Sequence, residues 1–300
     1  MGVETAYPGP VIDRTNATAS TAGILRPDEF SRQAELVRTP AGSAVDRWVE
    51  NHWALRWDLP EHRSFASQVL PHPTCSLTLE LGTHMRPEVP AGETLVITGV
   101  ATRRFDVDVQ GSGRVLGVRF RPGGLAALAR CGASEWTDAV VPAREVLPTG
   151  LCTALVDPAL AADPRAWAER AEDELSRAAS DVPDPRYDQL LEVISDMLDD
   201  RSLVTVAEVG HRHGLSVRTL QRLFIHYVGV GPKWVLARYR MHDAVTELDQ
   251  GFDGPLTDLA LRYGWYDQAH FTRDFTALIG RTPGSYRNEG RSSPSARDRA

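Results

Sequence analysis

The chain has few cysteines, and no apolar run in it approaches the length of a membrane span. Cys75, Cys131 and Cys152 show no paired-ligand spacing and leave an odd thiol, so a disulfide framework is not expected. A spanning helix needs about 20 apolar residues, and the first thirty residues lack a charged start followed by an apolar stretch. These absences predict a cytoplasmic protein with no membrane partner.

Motifs typical of catalysis or cofactor binding are also missing. The sequence has no Gly-x-Ser-x-Gly elbow and no glycine-rich phosphate loop after a strand. Four histidines and one cysteine lie within 33 residues, namely His52, His62, His72, Cys75 and His84. Their spacing matches no compact metal-ligand pair, so core or turn positions are the preferred interpretation. We therefore expect no enzyme activity, no cofactor and no metal.

Charge is distributed unevenly along the chain. The net charge of −7 argues against a protein that coats nucleic acid without selectivity, so any recognition must be local. Residues 201–240 hold seven basic residues and one acidic residue, whereas residues 241–278 hold two basic and seven acidic residues. Because phosphate contacts supply most non-specific affinity for nucleic acid, the first of these segments is expected to contribute more to it.

The C-terminal part of the chain contains an internal repeat. GLSVRTLQRLF at 214–224 and GWYDQAHFTRDF at 264–275 have matching positions 51 residues apart. Both continue to a glycine, Gly229 or Gly280, and three residues later to a proline, Pro232 or Pro283. Such a repeat indicates that one supersecondary unit is used twice.

Each repeat predicts a helix, a turn and a second helix. In the first unit a helix over 204–213 ends at Gly214, and Ser216 caps the next helix. Leu220, Leu223, Phe224 and Tyr227 form its buried stripe. In the second unit, helical spacing after Thr257 ends at Gly264, and Asp267 takes the capping position.

The outward residues of the two second helices are the candidate DNA-contacting residues. They are Arg218, Gln221 and Arg222 in the first unit, and Gln268, Ala269, Thr272 and Arg273 in the second. Arginine matches O6 and N7 of guanine, and glutamine matches N6 and N7 of adenine, which suits a major-groove reading helix. The position of the second unit that matches Arg218 is Ala269, so the second face is poorer in groups that can contact bases.

Residues from about 190 to 288 resemble the DNA-binding domain of AraC/XylS-family transcription regulators. The motifs that carry this resemblance are TLQRLF at 219–224, GVGPKWVLARYRMHDA at 229–244, and LALRYGWYDQAHFTRDFTALIGRTPGSYR at 259–287. The resemblance implies two helix-turn-helix units joined by a helix over about 232–249, with reading helices roughly 34 Å apart. Arg238 on this helix is expected to contact phosphate.

The N-terminal half is predicted to be rich in β structure. Alternation at Leu77, Leu79 and Leu81, followed by segments 94–100, 104–109 and 113–120, predicts four or five strands in a small sheet or barrel. The segment WVENHWALRWDL fits a strand or a helix, and LAALARC and 164–179 are predicted helices. Residues 23–148 resemble an uncharacterised domain often fused to AraC-type regulators, through the motifs GILRP at 23–27, WVENHWALRWDL, VLPHP, TRRF and GVRFRPGGLAAL at 117–128.

Four arginines of this half, Arg103, Arg104, Arg119 and Arg121, allow two interpretations. They are either solvated strand residues, which is favoured, or contacts for an anionic ligand. The resemblance implies that this half senses a signal, but it names no ligand.

The predicted organisation is an α+β protein with a β-rich, barrel-like domain and an all-α DNA-binding domain. The expected segments are a disordered tail at 1–22, the sensor or dimerisation domain at 23–180, a linker at 181–186, the DNA-binding domain at 187–288 and a disordered tail at 289–300. Expected partners are double-stranded DNA, and by resemblance RNA polymerase, a small-molecule effector and a second copy of the chain. Two alternatives stay open: a DNA-targeted enzyme or repair factor with a reactive Cys75 or Cys131, and a first half that only dimerises.

Overall fold

The computed structural model of the chain describes residues 23–60, 62–83, 86–180 and 182–292. The described strands are β1 Ala34–Pro40, β2 Val49–Asp58, β3 Ser64–Val69, β4 Ser76–Gly82, β5 Leu95–Thr98, β6 Phe105–Gln110, β7 Ser112–Phe120 and β8 Val140–Pro142. The described α-helices of the first half are α1 Pro27–Phe30, α2 Gly124–Ala129, α3 Thr149–Leu155, α4 Pro158–Ala161 and α5 Pro164–Ala178. Those of the second half are α6 Pro185–Asp199, α7 Val206–Arg212, α8 Val217–Tyr227, α9 Pro232–Asp249, α10 Leu256–Arg262, α11 Gln268–Ile279 and α12 Pro283–Ser292.

The strands form two antiparallel sheets. Six strands pair in the order β1-β2-β7-β4-β5-β8, and β3 pairs with β6 in a separate ladder. The predicted strands at 94–100, 104–109 and 113–120 are confirmed as β5, β6 and β7, and the ambiguous tryptophan-rich segment is strand β2. Strand β2 pairs with β1 on one side and with β7 on the other. These pairings explain why the segment forms a strand and not a helix.

Helix α5 covers one face of the larger sheet. Trp167 and Leu175 are fully buried on it, and the indole N–H of Trp167 donates to the carbonyl oxygen of Leu155. Nε2 of His52 on β2 lies 2.9 Å from Oε1 of Glu172 on the same helix. Because residues alternate along a strand, the neighbours of His52 on β2 face the opposite side of the sheet, toward β3 and β6.

One hydrophobic cluster runs through both predicted domains. It joins Phe120 and Leu128 of the first half to Leu190, Leu223 and other buried residues of the second. The approach is close at Gly123, which has φ of +79°, because an added Cβ would lie 2.7 Å from Cδ2 of Leu190. The hydrophobic core therefore does not divide at the predicted linker, and the boundaries of the two domains remain predictions.

The second helix-turn-helix unit has a core of its own, to which the first half also contributes. Leu25 and Leu70 pack in one cluster with Phe271, Phe275 and Tyr286. At the C-terminal end, α12 continues to Ser292, so the predicted tail at 289–300 begins too early. The predicted tail at 1–22 and residues 293–300 lie outside the described residues. Among the described helices, none combines the length and the apolar composition that a membrane span requires.

Candidate nucleic-acid interface

The first helix-turn-helix unit consists of α7 and α8. Thr205 and Glu208 form a capping box at the start of α7, in which the Glu208 N–H donates to Oγ1 of Thr205 over 3.2 Å. The turn closes at Gly214, which has φ of +62°, with the Leu215 N–H donating to the Gly210 carbonyl over 2.8 Å. Ser216 accepts from the Thr219 N–H over 3.1 Å, as predicted for the cap of α8.

The first reading face, defined as Arg218, Gln221 and Arg222, is exposed at the N-terminal end of α8. It lines an open cleft of about 560 Å³ together with Arg186 of α6 and with Gly132 and Ser134 of the first half. Arg186 could not be predicted from the repeat, because this arginine precedes the repeat and reaches the cleft only through the packing of α6 on α8. A third guanidinium therefore adds positive charge beside the reading face.

The second unit, α10 and α11, repeats the same construction. Gly264 has φ of +77°, and the Trp265 N–H donates to the Ala260 carbonyl over 2.9 Å, which corresponds to the Leu215–Gly210 bond. Asp267 caps α11 as predicted, accepting from the His270 N–H over 2.7 Å. The repeat in the sequence therefore encodes two turns of the same hydrogen-bonding pattern.

The second reading face, defined as Gln268, Ala269, Thr272 and Arg273, is less open than the first. Gln268 and Arg273 are exposed, whereas Thr272 is half-buried. The Oε1 atom of Gln268 accepts from the Thr257 hydroxyl over 2.7 Å, so its amide nitrogen is the group left to donate. Next to this face, Tyr266 is 87% exposed.

Arg240 on the connecting helix α9 joins the two units. Its guanidinium donates to the carbonyl oxygen of Val204, directly before α7, and over 3.0 Å to that of Gly264 in the turn of the second unit. Burial lowers the pKa of Arg240, although Glu208 and Asp274 favour the charged form. The side chain thus links both units through main-chain groups.

The prediction that Arg238 contacts phosphate is wrong, because this side chain is buried. Arg238 is only 3% exposed, lies over the Trp234 ring and donates to the carbonyl oxygen of Thr102 over 2.7 Å. Its burial lowers its pKa to about 10. Helical position alone suggested exposure, but the first half covers this face of α9. Of the basic residues of segment 201–240, Arg238 is therefore buried and Arg240 is half-buried, so this segment presents less positive charge at the surface than the sequence suggested.

The four arginines considered for an anionic ligand have different surroundings. Arg119 lines an internal cavity and pairs with Glu50 over 3.1 Å, whereas Arg103 is exposed. Arg104 pairs with Asp106 and donates to the Ile279 carbonyl, and Arg121 donates to the Asp46 carbonyl. The four residues do not form one site.

The reactive-cysteine alternative finds no support in the geometry. Cys75 is buried, and burial raises the pKa of its thiol to about 12, so the thiolate is not formed near neutral pH. Burial also raises the pKa of Cys131. Across the described ranges, no three His, Cys, Asp or Glu side chains lie close enough to hold a metal ion. His84 lies outside those ranges.

Comparison with known proteins matches each half of the chain separately. Residues 209–289 match a family model described as a helix-turn-helix domain, and residues 38–142 match a domain of unknown function, DUF6597. The probable transcription factor PqrA of Proteus vulgaris is 28% identical over 101 residues, which cover 34% of this chain and 82% of PqrA.

Two solved structures also show similarity. The C-terminal domain of AraT, a response regulator from Geobacillus stearothermophilus, is 22% identical and covers 37% of this chain and 88% of its own, with a TM-score of 0.31. ToxT from Vibrio cholerae is 8% identical and covers 85% of this chain and 97% of its own, with a TM-score of 0.37.

The repeated helical units and the family match at residues 209–289 define the second half of the chain as a helix-turn-helix domain. This domain resembles the AraC type, and the domain that precedes it matches the family of unknown function DUF6597.

Proposed function

We propose that the protein reads double-stranded DNA with the N-terminal turns of α8 and α11 in two successive major grooves. The observation that carries this proposal is the Arg240 link, which ties the first unit to the turn of the second. In this proposal, two reading helices held by one connecting helix would enter a pair of groove segments about 34 Å apart. The exposure of the first reading face and of Gln268 and Arg273 supports base contacts from both units.

The two units contribute unequally in this proposal. The first reading face has two guanidinium groups and the added charge of Arg186, so it supplies most base discrimination and salt-dependent affinity. The second unit belongs to a segment with seven acidic and two basic residues, which weakens its attraction to phosphate. Its contribution is therefore mainly to extend the site and to fix its spacing.

The first half is the sensor in this proposal, and a small-molecule effector is its input. Support comes from its contacts with the connecting helix, because Thr102 binds Arg238 and His72 stacks on His242 with 3.9 Å between ring centroids. A change in the structure of the first half would act on α9, the helix that connects the two helix-turn-helix units. The proposed result of effector binding is a change in self-association or in contact with RNA polymerase.

Selection of bound sequences from random DNA with the purified full chain tests this proposal. We expect a site with two elements about 10 base pairs apart, centre to centre. Replacing Arg218, Gln221 and Arg222 by alanine should remove the preference at one element. Replacing Gln268, Thr272 and Arg273 should remove it at the other. A site with a single element, or loss of the same element in both variants, would refute two-groove reading.

A further inference from the structure

A cavity of about 280 Å³ lies between the six-stranded sheet and the β3-β6 ladder. Its volume is close to the lower end of the range of about 300–1,000 Å³ that small-molecule sites occupy. Most of its wall is apolar, and the aliphatic and aromatic residues include Leu36, Leu55, Val69, Phe105, Val107 and Val115. An occupant with an apolar body would therefore bury that body well.

Two tryptophan rings form part of the cavity wall on the larger sheet. An added Cβ at Gly117 would lie 2.2 Å from Cε2 of Trp53, and one at Gly113 would lie 2.3 Å from Cζ2 of Trp57. The two glycines of β7 thus leave room for indole rings from β2. The indole N–H of Trp57 donates to the Gln110 carbonyl over 3.2 Å. That of Trp53 has no hydrogen-bond partner in the described part of the chain.

The cavity wall also contains a cation without a counter-ion. Arg38 of β1 lies directly opposite Trp53 of β2 in the strand register and is half-buried. No described residue forms an ion pair or hydrogen bond with its guanidinium. Burial and the neighbouring Arg119 lower the pKa of Arg38 to about 10, partly offset by Glu50, so the group is charged at neutral pH.

The other charged groups of the cavity wall are already paired or lie at the surface. Arg119 pairs with Glu50, which the bulge between Val49 and Asn51 on β2 introduces as an extra residue. Arg86 binds Glu80 and also donates to the Thr98 hydroxyl over 3.2 Å. Asp108 is exposed. The remaining ionisable group, His72, stacks on His242 of α9. The uncompensated charge at Arg38 is therefore positive.

We propose that this cavity binds an organic monocarboxylate with an apolar body, whose carboxylate is held by Arg38 and by the indole N–H of Trp53. A guanidinium presents paired donors that match a carboxylate, and burial strengthens such a bond. The apolar wall would hold the rest of the ligand. This inference rests on the proposed sensor role of the first half, for which it names the class of effector.

The cavity wall reaches the connecting helix at two places. His72 lines the cavity and stacks on His242 of α9, whose Nε2 also donates to the Pro71 carbonyl over 3.1 Å. Ala101 lines the cavity as well, and the next residue, Thr102, accepts from Arg238 of α9. An occupant that displaces either loop would therefore act on the helix between the two reading units.

Calorimetric titration of the full chain with octanoate and with octan-1-ol tests the proposal. We expect one octanoate site and an at least tenfold weaker affinity for the alcohol, which has a matched apolar body but no charge. Arg38→Gln should weaken octanoate binding by about tenfold or more and leave alcohol binding unchanged. The matched control is Arg56→Gln, because Arg56 is exposed on the opposite face of β2. It should bind both compounds as the wild type does.

A second variant keeps the test informative if Arg38→Gln does not fold. Leu36→Trp places a larger side chain in the cavity and should abolish binding of both compounds, with an intact fold confirmed by circular dichroism and a cooperative melt. Absence of octanoate binding to the wild type, equal affinity for acid and alcohol, or equal loss in Arg56→Gln would overturn the proposal. Because these titrations contain no DNA, such a result would leave the two-groove proposal standing.

Discussion

Of the residues proposed to read bases, Arg222 has the most specific chemistry. It is exposed on α8 and lies one position from Gln221 in the cleft beside the first half. A guanidinium that binds O6 and N7 of one guanine discriminates against other bases by about 1–3 kcal/mol. Arg222→Ala should therefore weaken binding to the selected site by that amount and relax the preference at one base position.

Footprinting and competition with single-base variants of the selected site measure this effect. Arg165→Ala is the matched control, because Arg165 is 88% exposed on α5, in the first half of the chain. It should leave affinity and preference unchanged. An equal weakening of binding to all sequences by Arg222→Ala would show that Arg222 contacts phosphate and does not read a base.

Arg238 shows how the same residue type acquires a structural role. Its buried guanidinium binds the Thr102 carbonyl, and a hydrogen bond to a charged group contributes about 1.5–3 kcal/mol. Arg238→Ala should lower the free energy of unfolding by an amount of this order, measured by denaturant titration. The salt dependence of DNA affinity should not change. A decrease of about one in the slope of log affinity against log salt would instead support the phosphate contact that the sequence predicted.

Arg222 and Arg238 also show what a sequence can and cannot predict about single residues. Arg222 belongs to a short helix whose buried stripe and cap are visible locally, so its outward position could be predicted. Arg238 belongs to a helix with buried residues around most of its circumference, such as Val235, Tyr239 and His242. Its partner Thr102 is 136 residues away in the chain, and no local pattern specifies that contact.

At the scale of elements, the repeat predicted the helix-turn-helix units well. Gly214 and Gly264 both adopt positive φ, and Ser216 and Asp267 both cap the following helix. The connecting helix has the predicted bounds. The capping box at Thr205 was missed because the expected helix began at 204, two residues before α7 begins, although a threonine three residues before a glutamate is its signature.

The Arg240 link predicts that the spacing of the two reading helices is rigid. Arg240→Met would remove both hydrogen bonds to main-chain carbonyls that lie on different units. The variant should tolerate insertion of one base pair between the two DNA elements, reducing the penalty that the wild type shows by about tenfold, or ~1.4 kcal/mol.

Electrophoretic titration with a series of spacer lengths would measure this penalty. Lys233→Met is the matched control, because Lys233 lies exposed at the start of the same helix. It removes a charge without breaking the link, so the spacer penalty should stay at the wild-type value even if overall affinity falls. An unchanged penalty in Arg240→Met would show that other contacts of α9 fix the spacing.

At the scale of the whole molecule, the sequence predicted strands but not their arrangement. Alternation identified β4 and β6, and the β-branched segment 94–100 and the segment 113–120 predicted β5 and β7, but β1, β3 and β8 went unrecognised. The order of strands and the separation of β3-β6 from the larger sheet depend on pairings between residues far apart, such as Arg38 with Trp53 and Trp53 with Gly117. The cavity exists only because these two sheets face each other, so neither its location nor the role of Arg38 could be predicted from local pattern.

The continuous hydrophobic cluster has a consequence for stability. Buried residues of the larger sheet, of α2 and of α6, α8 and α9 pack in one cluster, although the sequence suggested two domains joined by a linker. Unfolding of the second half would expose apolar surface on the first, and the reverse also holds. We therefore expect the full chain to unfold in one calorimetric transition, with the calorimetric and van't Hoff enthalpies equal.

A matched pair of leucine variants makes the expectation specific. Leu190 of α6 is fully buried where the halves meet at Gly123, whereas Leu261 of α10 is 57% exposed. Leu190→Ala should cost about 2–5 kcal/mol, and Leu261→Ala should change stability by less than about 0.5 kcal/mol. Because Leu190 contributes to the shared core, its replacement should lower hydrogen-exchange protection in β7 and in α8 together. Loss of protection in α8 alone, or two resolved thermal transitions, would show that the halves unfold independently and that the contact on α9 is too weak to carry a signal.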